Sequence, residues 1–251
     1  MKILVIVGSL RKLNTYNIAK MIEERHKQIS DCEYEYIVLK DMDLKLCTGC
    51  HACMTVGERF CPLKDDRDMI INKIEEADGV ILACPTFSMN VSWVMKNFMD
   101  RLSFIMHRPR FFRQRFMLLV VSGSIRGGKD AMRSLKFASF AGQVVNRLIV
   151  LNSPGMNENK RNRQNSKVIK EAEKFAVNMN KKLSLKSPFS YLIWFSAIKT
   201  VTAVYKDNST ADYEYYRDKK YFIDVRLNKV QKITIKVLSS LFLFLAEKGF
   251  V

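Results

Sequence analysis

Cys47, Cys50, Cys53 and Cys61 form the densest group of reactive side chains in the sequence. Two residues separate each of the first three, and seven separate the last pair, with Pro62 behind Cys61. Thiolates are soft ligands that suit iron–sulfur clusters or zinc. Three of them at this spacing can wrap one face of a four-iron cubane, with the more distant cysteine completing the set. Structural zinc and unmetallated thiols are the competing readings, and His51 offers an alternative ligand. Cys32 and Cys84 read as core residues, since a thiol without a partner packs as a small hydrophobe. His26, His51 and His107 are isolated in sequence, so no nucleophile or general base is nominated.

Residues 8–15, Gly-Ser-Leu-Arg-Lys-Leu-Asn-Thr, carry a second kind of chemistry. They join an apolar run to the start of a helix-period segment. A helix N-terminus presents unpaired N–H groups and the positive end of its dipole, which together cradle a phosphate. Ser9, Asn14 and Thr15 add short donors and Arg11 adds a fixed charge. Plain helix capping by Asn14 or Thr15 is the competing reading. The glycine triad of the dinucleotide fingerprint is absent.

The elements that must position these groups are legible as alternating patterns. Apolar, strand-like runs occupy residues 2–7, 33–39, 79–84, 116–121 and 144–151. Helix-period segments occupy residues 15–29, 66–77, 92–105, 130–140 and 165–183, the second with Asp65 or Asp66 as its cap. Five strands alternating with five helices predict an α/β fold with a five-stranded parallel sheet covered on both faces. In such sheets ligands sit beyond the carboxyl ends of the strands, where the strand order reverses. The loops from Gly8, from Pro85 and from Ser122 lie at three such ends.

Three segments together resemble the NADPH-dependent FMN reductase-like group of flavodoxin-like proteins, and within it the iron–sulfur flavoproteins. They are residues 8–15, residues 77–101 (ADGVILACPTFSMNVSWVMKNFMDR) and residues 47–66 (CTGCHACMTVGERFCPLKDD). The resemblance implies a flavodoxin-like three-layer sandwich that binds FMN, takes electrons from NAD(P)H or a ferredoxin, and forms a homo-oligomer. It places the phosphate at Ser9, Arg11, Asn14 and Thr15. It lines the flavin ring with Pro85, Thr86, Phe87, Ser88 and Met89, and sets Gly123, Ser124 and Gly127 as a third wall. It makes Cys47, Cys50, Cys53 and Cys61 the ligands of a [4Fe–4S] cluster. Two departures stand out: Leu13 occupies a place where glycine is frequent, and Phe87 a place where tyrosine is usual. A non-enzymatic flavin electron carrier and a zinc-containing basic binding module are the alternative functions.

Charge and length bound the rest. The chain has 251 residues and a net charge of +17, with 48% apolar and 27% charged residues, which excludes a wholly disordered chain. The first 105 residues hold 14 basic and 15 acidic side chains, and the remainder hold 28 and 10. A basic back half points to an anionic partner, with a membrane surface or an acidic protein ahead of nucleic acid. The run 107–115, His-Arg-Pro-Arg-Phe-Phe-Arg-Gln-Arg, reads as a solvated edge or a subunit contact. The N-terminus reads as a first strand, not a signal peptide, and no apolar stretch approaches the roughly 20 residues of a membrane span, so a cytoplasmic protein is expected. Domain boundaries are expected at 1–184 for the FMN-binding part and 185–251 for a C-terminal helical extension. The extension packs on the core or between subunits, or lies on a membrane through its basic amphipathic end.

Overall fold

The structure, a computed structural model, describes every residue except 140, 184, 186–188, 250 and 251. Its strands are β1 (Lys2–Val7), β2 (Glu33–Val38), β3 (Gly79–Phe87), β4 (Asn90–Val91), β5 (Arg115–Ser122) and β6 (Gln143–Leu151). Its helices are α1 (Asn14–Lys27), α2 (Ala52–Thr55), α3 (Arg67–Glu76), α4 (Trp93–Arg101), α5 (Ile125–Phe137), α6 (Glu158–Asn180), α7 (Phe189–Val204), α8 (Thr210–Tyr216) and α9 (Lys229–Glu247). They divide into two compact units. The first comprises residues 1–47, 65–102 and 110–183, and the second residues 48–64, 103–109 and 184–251.

The first unit is the parallel sheet and its helices. The strand order is β2-β1-β3-β5-β6, with the two-residue β4 pairing antiparallel to the tip of β3. The sheet thus has the five expected parallel strands and a sixth, short one. The chain steps outward from β1 to β2 and then returns past β1 to β3, which puts the switch point between β1 and β3. Ile3 to Val7 and Val80 to Cys84 are all buried, as strands covered on both faces require. Ile18 and Ile22 of α1 and Val168, Ala172 and Phe175 of α6 pack with Ile3, Val5 and Val7 on one face. Alternate residues point to the opposite face. That leaves Leu4, Ile6, Val80 and Leu82 to the side served by Ile70, Ile74, Met95, Phe98 and Leu135, all buried in α3, α4 and α5.

Several element ends differ from expectation: α6 begins at Glu158 rather than 165, where the Asn157 side chain caps it by accepting from the Lys160 N–H, and three others follow. Asp66 does occupy the cap position of α3, but its carboxylate accepts from the Asp43 N–H at 2.8 Å and makes no capping bond. Its neighbour Asp65 is fully buried against Arg101 and also accepts from the Lys45 and Arg67 N–H groups. Burial alone would raise the Asp65 pKa, but the Arg101 guanidinium reverses this and holds it below the usual carboxylate value. Helix α5 begins at Ile125 rather than 130, because the Ser124 hydroxyl accepts from the Gly127 N–H and starts the helix there. Phe140, the expected end of that helix, lies outside the described residues. The segment 92–105 is one helix only as far as Arg101, and the boundary between units follows Leu102.

The second unit gathers the cysteine segment, residues 103–109 and the tail. Phe195 of α7 lies 5.2 to 5.8 Å from the rings of Tyr216, Tyr221 and Phe222, and Trp194 lies 5.2 Å from Phe222. The basic run is not a solvated edge at Arg108. That side chain is only 4% exposed and ion-paired with the buried Asp212 of α8. It also donates to the Cys53 and Met54 carbonyls and to Glu58 at 3.1 Å. His107 Nδ1 meets the other Asp212 oxygen at 2.7 Å, and the Tyr216 hydroxyl donates to the His107 carbonyl.

Burial alone would raise the Asp212 pKa, but the His107 hydrogen bond and the Arg108 charge bring it below the usual value. A carboxylate whose folded pKa is depressed contributes stability that is present above the unfolded pKa of about 4. That stability is lost as the pH falls from there through the folded value. Asp65 acts in the same direction. Urea melts between pH 7 and pH 3 are therefore expected to show a midpoint that is flat to about pH 5 and then falls. In Asp212→Asn the fall is shallower.

Candidate functional site

The loops at the carboxyl ends of β1, β3 and β5 open onto one cavity of about 460 Å³. The loop after β1 contributes Ser9, Leu10, Arg11, Leu13, Asn14 and Thr15. The end of β3 contributes Pro85, Thr86 and Phe87, and that of β5 Val121, Ser122 and Gly123, with Asn152 following β6. No carboxylate lines it, and Arg11 is its one cation among the described residues.

The loop after β1 brings the start of α1 and Arg11 to the cavity. Leu13 occupies the cap position of α1, and no side chain caps the helix. Asn14 and Thr15 are therefore inside the first turn rather than capping it, and the first-turn N–H groups face the loop with the positive end of the helix dipole. Ser9 shapes that loop: its hydroxyl donates to the Arg11 carbonyl at 2.8 Å and accepts from the Arg11 N–H at 3.4 Å.

Gly8 locks the loop to the sheet. Its N–H donates to the Ala83 carbonyl at 2.8 Å, and its carbonyl accepts from the Ser92 hydroxyl. Ser92 is fully buried and caps α4 by accepting from the Met95 N–H at 3.3 Å. Sequence reasoning left Ser92 unassigned, although a serine directly before a helix-period segment was the available signal. Ser92→Ala removes a cap and strands a buried carbonyl. It is expected to cost about 1–2 kcal/mol in a urea melt.

Apolar side chains also line the cavity, and a strained turn follows β3. Phe87 is 51% exposed at the mouth, with the exposed Leu10 and Leu13 across the opening. Strand β3 runs past Pro85 to Phe87, which pairs with Asn90. The turn between them is Ser88-Met89, with φ of 45° and 65°. Two positive φ values define the tight hairpin that Asn-Gly normally fills. Here neither residue is glycine, so each is held at a cost of about 1–2 kcal/mol, and such strain clusters at ligand clamps.

Eight of the twelve expected contact residues line the cavity: Ser9, Arg11, Asn14, Thr15, Pro85, Thr86, Phe87 and Gly123. Ser88, Met89, Ser124 and Gly127 do not line it. A Cβ on Gly127 would lie 3.3 Å from the Met89 sulfur, and Ser124 caps α5. Ser122 ties the walls together. Its hydroxyl accepts from Thr86 at 3.1 Å and donates to the Ser124 carbonyl at 2.7 Å. Leu10, Leu13, Val121, Ser122 and Asn152 were not foreseen, and Asn152 marks a fourth strand end at the same site.

All six cysteines stand as thiols. Cys84 is fully buried, and burial pushes its thiol up to about 11, against the pull of hydrogen bonds with Ser92. It stays protonated as a core residue. Cys32 is buried as well. In the cysteine segment Cys47 and Cys50 are exposed, Cys53 is half-buried and Cys61 is buried. The Ala52 N–H and then the Thr48 hydroxyl lower the Cys50 pKa toward the thiolate. Cys47 belongs to the first unit and the other three to the second. Among the described residues no three cysteine, histidine or acidic side chains are gathered in a metal-binding arrangement. The donors fit a thiolate-ligated cluster in kind.

Topology defines a flavodoxin-like protein, with a cavity at the β1/β3 switch point. Residues 1–154 match the family described as NADPH-dependent FMN reductase, and the chain belongs to that family of flavin-dependent oxidoreductases. An iron–sulfur flavoprotein of Archaeoglobus fulgidus is 33% identical over 155 residues, covering 61% of this chain and 75% of its own length. One of Clostridioides difficile is 28% identical over 225 residues, covering 86% and 95%, so that likeness reaches into the tail. Among solved structures, an azoreductase superposes with a TM-score of 0.56 at 14% identity, over 71% of this chain and 100% of that one. An NAD(P)H:quinone oxidoreductase from Methanothermobacter marburgensis gives 0.53 at 14%, over 68% and 97%. At these identities the two solved structures show the fold alone.

Proposed function

We propose that the cavity holds FMN, with its phosphate at residues 8–15 and its ring between Phe87 and the Val121–Gly123 wall, and that the chain passes electrons from NAD(P)H to an acceptor. One observation carries this reading: loops from the ends of β1, β3 and β5 converge on a single cavity lined by the start of α1 and Arg11 together with the apolar Phe87, Leu10 and Leu13. When bound, FMN accepts hydride and releases electrons singly or in pairs, so no acid–base pair is required of the protein. The N-terminus of α1 and Arg11 neutralise the phosphate. Phe87, Leu10 and Leu13 exclude water from the ring, and the Thr86–Ser122–Ser124 bonds hold the wall in register. Cys47, Cys50, Cys53 and Cys61 are the ligand set for a [4Fe–4S] cluster, a reading supported by the relatives' names and by the spacing of the four thiols in sequence.

The domain reading is an FMN-binding part over residues 1–184 and an extension over 185–251. The donor is a nicotinamide or a ferredoxin, the assembly a homo-oligomer, and the setting cytoplasmic, with the tail in peripheral contact with a membrane. No helix among the described residues is long and apolar enough to cross one. Steady-state NAD(P)H oxidation with a quinone acceptor tests the enzyme reading. Turnover supports it, and FMN-loaded protein without turnover makes the chain a carrier. Iron and sulfide assays on anaerobically purified protein test the cluster: about four of each per chain support it, while zinc or no metal overturns it.

A further inference from the structure

Six of the large hydrophobic residues exposed on the described surface lie on α9. Exposed apolar residues are normally scattered singly, and a concentration of them marks an interaction surface. Val230, Ile233 and Val237 are 71%, 63% and 62% exposed, and Leu241 and Phe244 continue the line. Their spacing of three, four, four and three residues keeps all five on one face of the helix. This is not the face that packs inside its own unit. There Ile235, Leu238, Phe242 and Leu245 are less exposed, and α9 lies against α7 through bonds such as Tyr205 hydroxyl to Ala246 carbonyl at 3.1 Å. The helix is thus apolar on two sides, and one of them is open.

The flank of the open side is basic. Lys229, Lys232 and Lys236 run along it at helical spacing, all exposed, and α9 has no acidic residue before Glu247. Lys232 also lines a cavity of about 430 Å³ at the start of the stripe, together with Lys219, Lys220 and Arg226 against Asp218 and Asp224. An apolar stripe beside a row of lysines, with further cations at one end, matches the boundary between acyl chains and anionic headgroups. A soluble acidic protein would use the lysines without needing five unshielded apolar side chains. The α9 stripe of a second copy packed face to face would offer apolar area but, having no acidic residue before Glu247, little negative charge for the lysines.

We infer that the open face of α9 docks on an anionic membrane surface, with the Val230–Phe244 stripe entering the headgroup boundary and Lys229, Lys232 and Lys236 contacting phosphates. This deepens the membrane contact proposed above and does not depend on the flavin reading. Lying in the interface plane, a helix of this length needs no spanning segment.

Vesicle flotation of the full chain tests it, with phosphatidylglycerol-rich and pure phosphatidylcholine vesicles. The protein floats with the first and at least tenfold less with the second, and added salt releases it. Each lysine near an anionic surface is worth about fivefold in partitioning, so Lys229, Lys232 and Lys236 all changed to Gln lowers binding about a hundredfold. Ile233→Ser with Val237→Ser abolishes it. FMN content stays at the wild-type level in both variants, so failure here is distinguishable from failure of the flavin reading. Equal binding to both vesicles, or full binding by either variant, overturns the inference. So does an absence of flotation combined with self-association that the serine variant abolishes, which assigns the face to a second copy.

Discussion

Arg108→Leu is expected to destabilise the second unit by about 3–5 kcal/mol, the usual cost of leaving one member of a buried ion pair alone. The substitution strands the buried Asp212 carboxylate and removes donors from the Cys53 and Met54 carbonyls. Both carbonyls lie in α2, so the loss loosens the segment that carries Cys50, Cys53 and Cys61. Arg108→Lys keeps the charge but lacks the planar fork that reaches four acceptors, so it recovers only part of the loss. Replacing both partners by leucine costs less than the sum of the single changes, since no charge is then left unpaired. The two tryptophans make this measurable, because Trp93 lies in the first unit and Trp194 in the second. In a Trp93→Phe background, the urea transition reports on Trp194 and shows the Arg108→Leu shift. Alkylation of Cys53, half-buried in the wild type, speeds up in parallel. FMN content is expected to persist, since every residue lining the cavity belongs to the first unit.

Gly8→Ala acts on the proposed flavin site itself. An added Cβ would lie 2.8 Å from the Met95 Cβ and Cε. The Cε end can swing away, but the Met95 Cβ is fixed by helix α4. The loop after β1 and α4 must therefore separate, which loosens the Ser92 hydroxyl from the Gly8 carbonyl. Overpacking of this kind costs about 1–3 kcal/mol. The displaced loop is the one that carries Ser9 and Arg11 to the head of α1. FMN affinity is expected to fall at least tenfold, equivalent to about 1.4 kcal/mol. Gly123→Ala is the control, because a Cβ there meets nothing within 4 Å although the residue lines the same cavity. It should leave the urea midpoint unchanged. Equal effects of the two substitutions would remove the steric explanation.

The sheet was legible because β1 and β3 are uninterrupted apolar runs, a pattern that strands buried on both faces must show. The cavity was legible because it forms at strand ends, and strand ends are marked by Gly8, Pro85 and Gly123. What escaped depends on partners distant in sequence. Nothing local distinguishes Arg108 from Arg110 or Arg113, and its burial is decided by Asp212, 104 residues away. The Ser88-Met89 hairpin lacks the Asn-Gly pair that announces such turns, so β3 read as ending at Pro85. Gly127 and Gly128 read as loop because glycine is a poor helix former. Gly128 is in fact required by the close approach of Ile149, which would lie 2.6 Å from a Cβ. The four cysteines of residues 47–61 are close in sequence, but spacing alone does not place four thiols around one centre, and among the described residues they are not gathered in a metal-binding arrangement.

Titration of flavin-stripped protein with riboflavin 5′-phosphate addresses the central claim directly. The account predicts quenching of flavin fluorescence that saturates at about one equivalent per chain with micromolar or tighter affinity, and a loss of affinity in Gly8→Ala. Folded wild-type protein that leaves the flavin emission unchanged at micromolar concentration would contradict it.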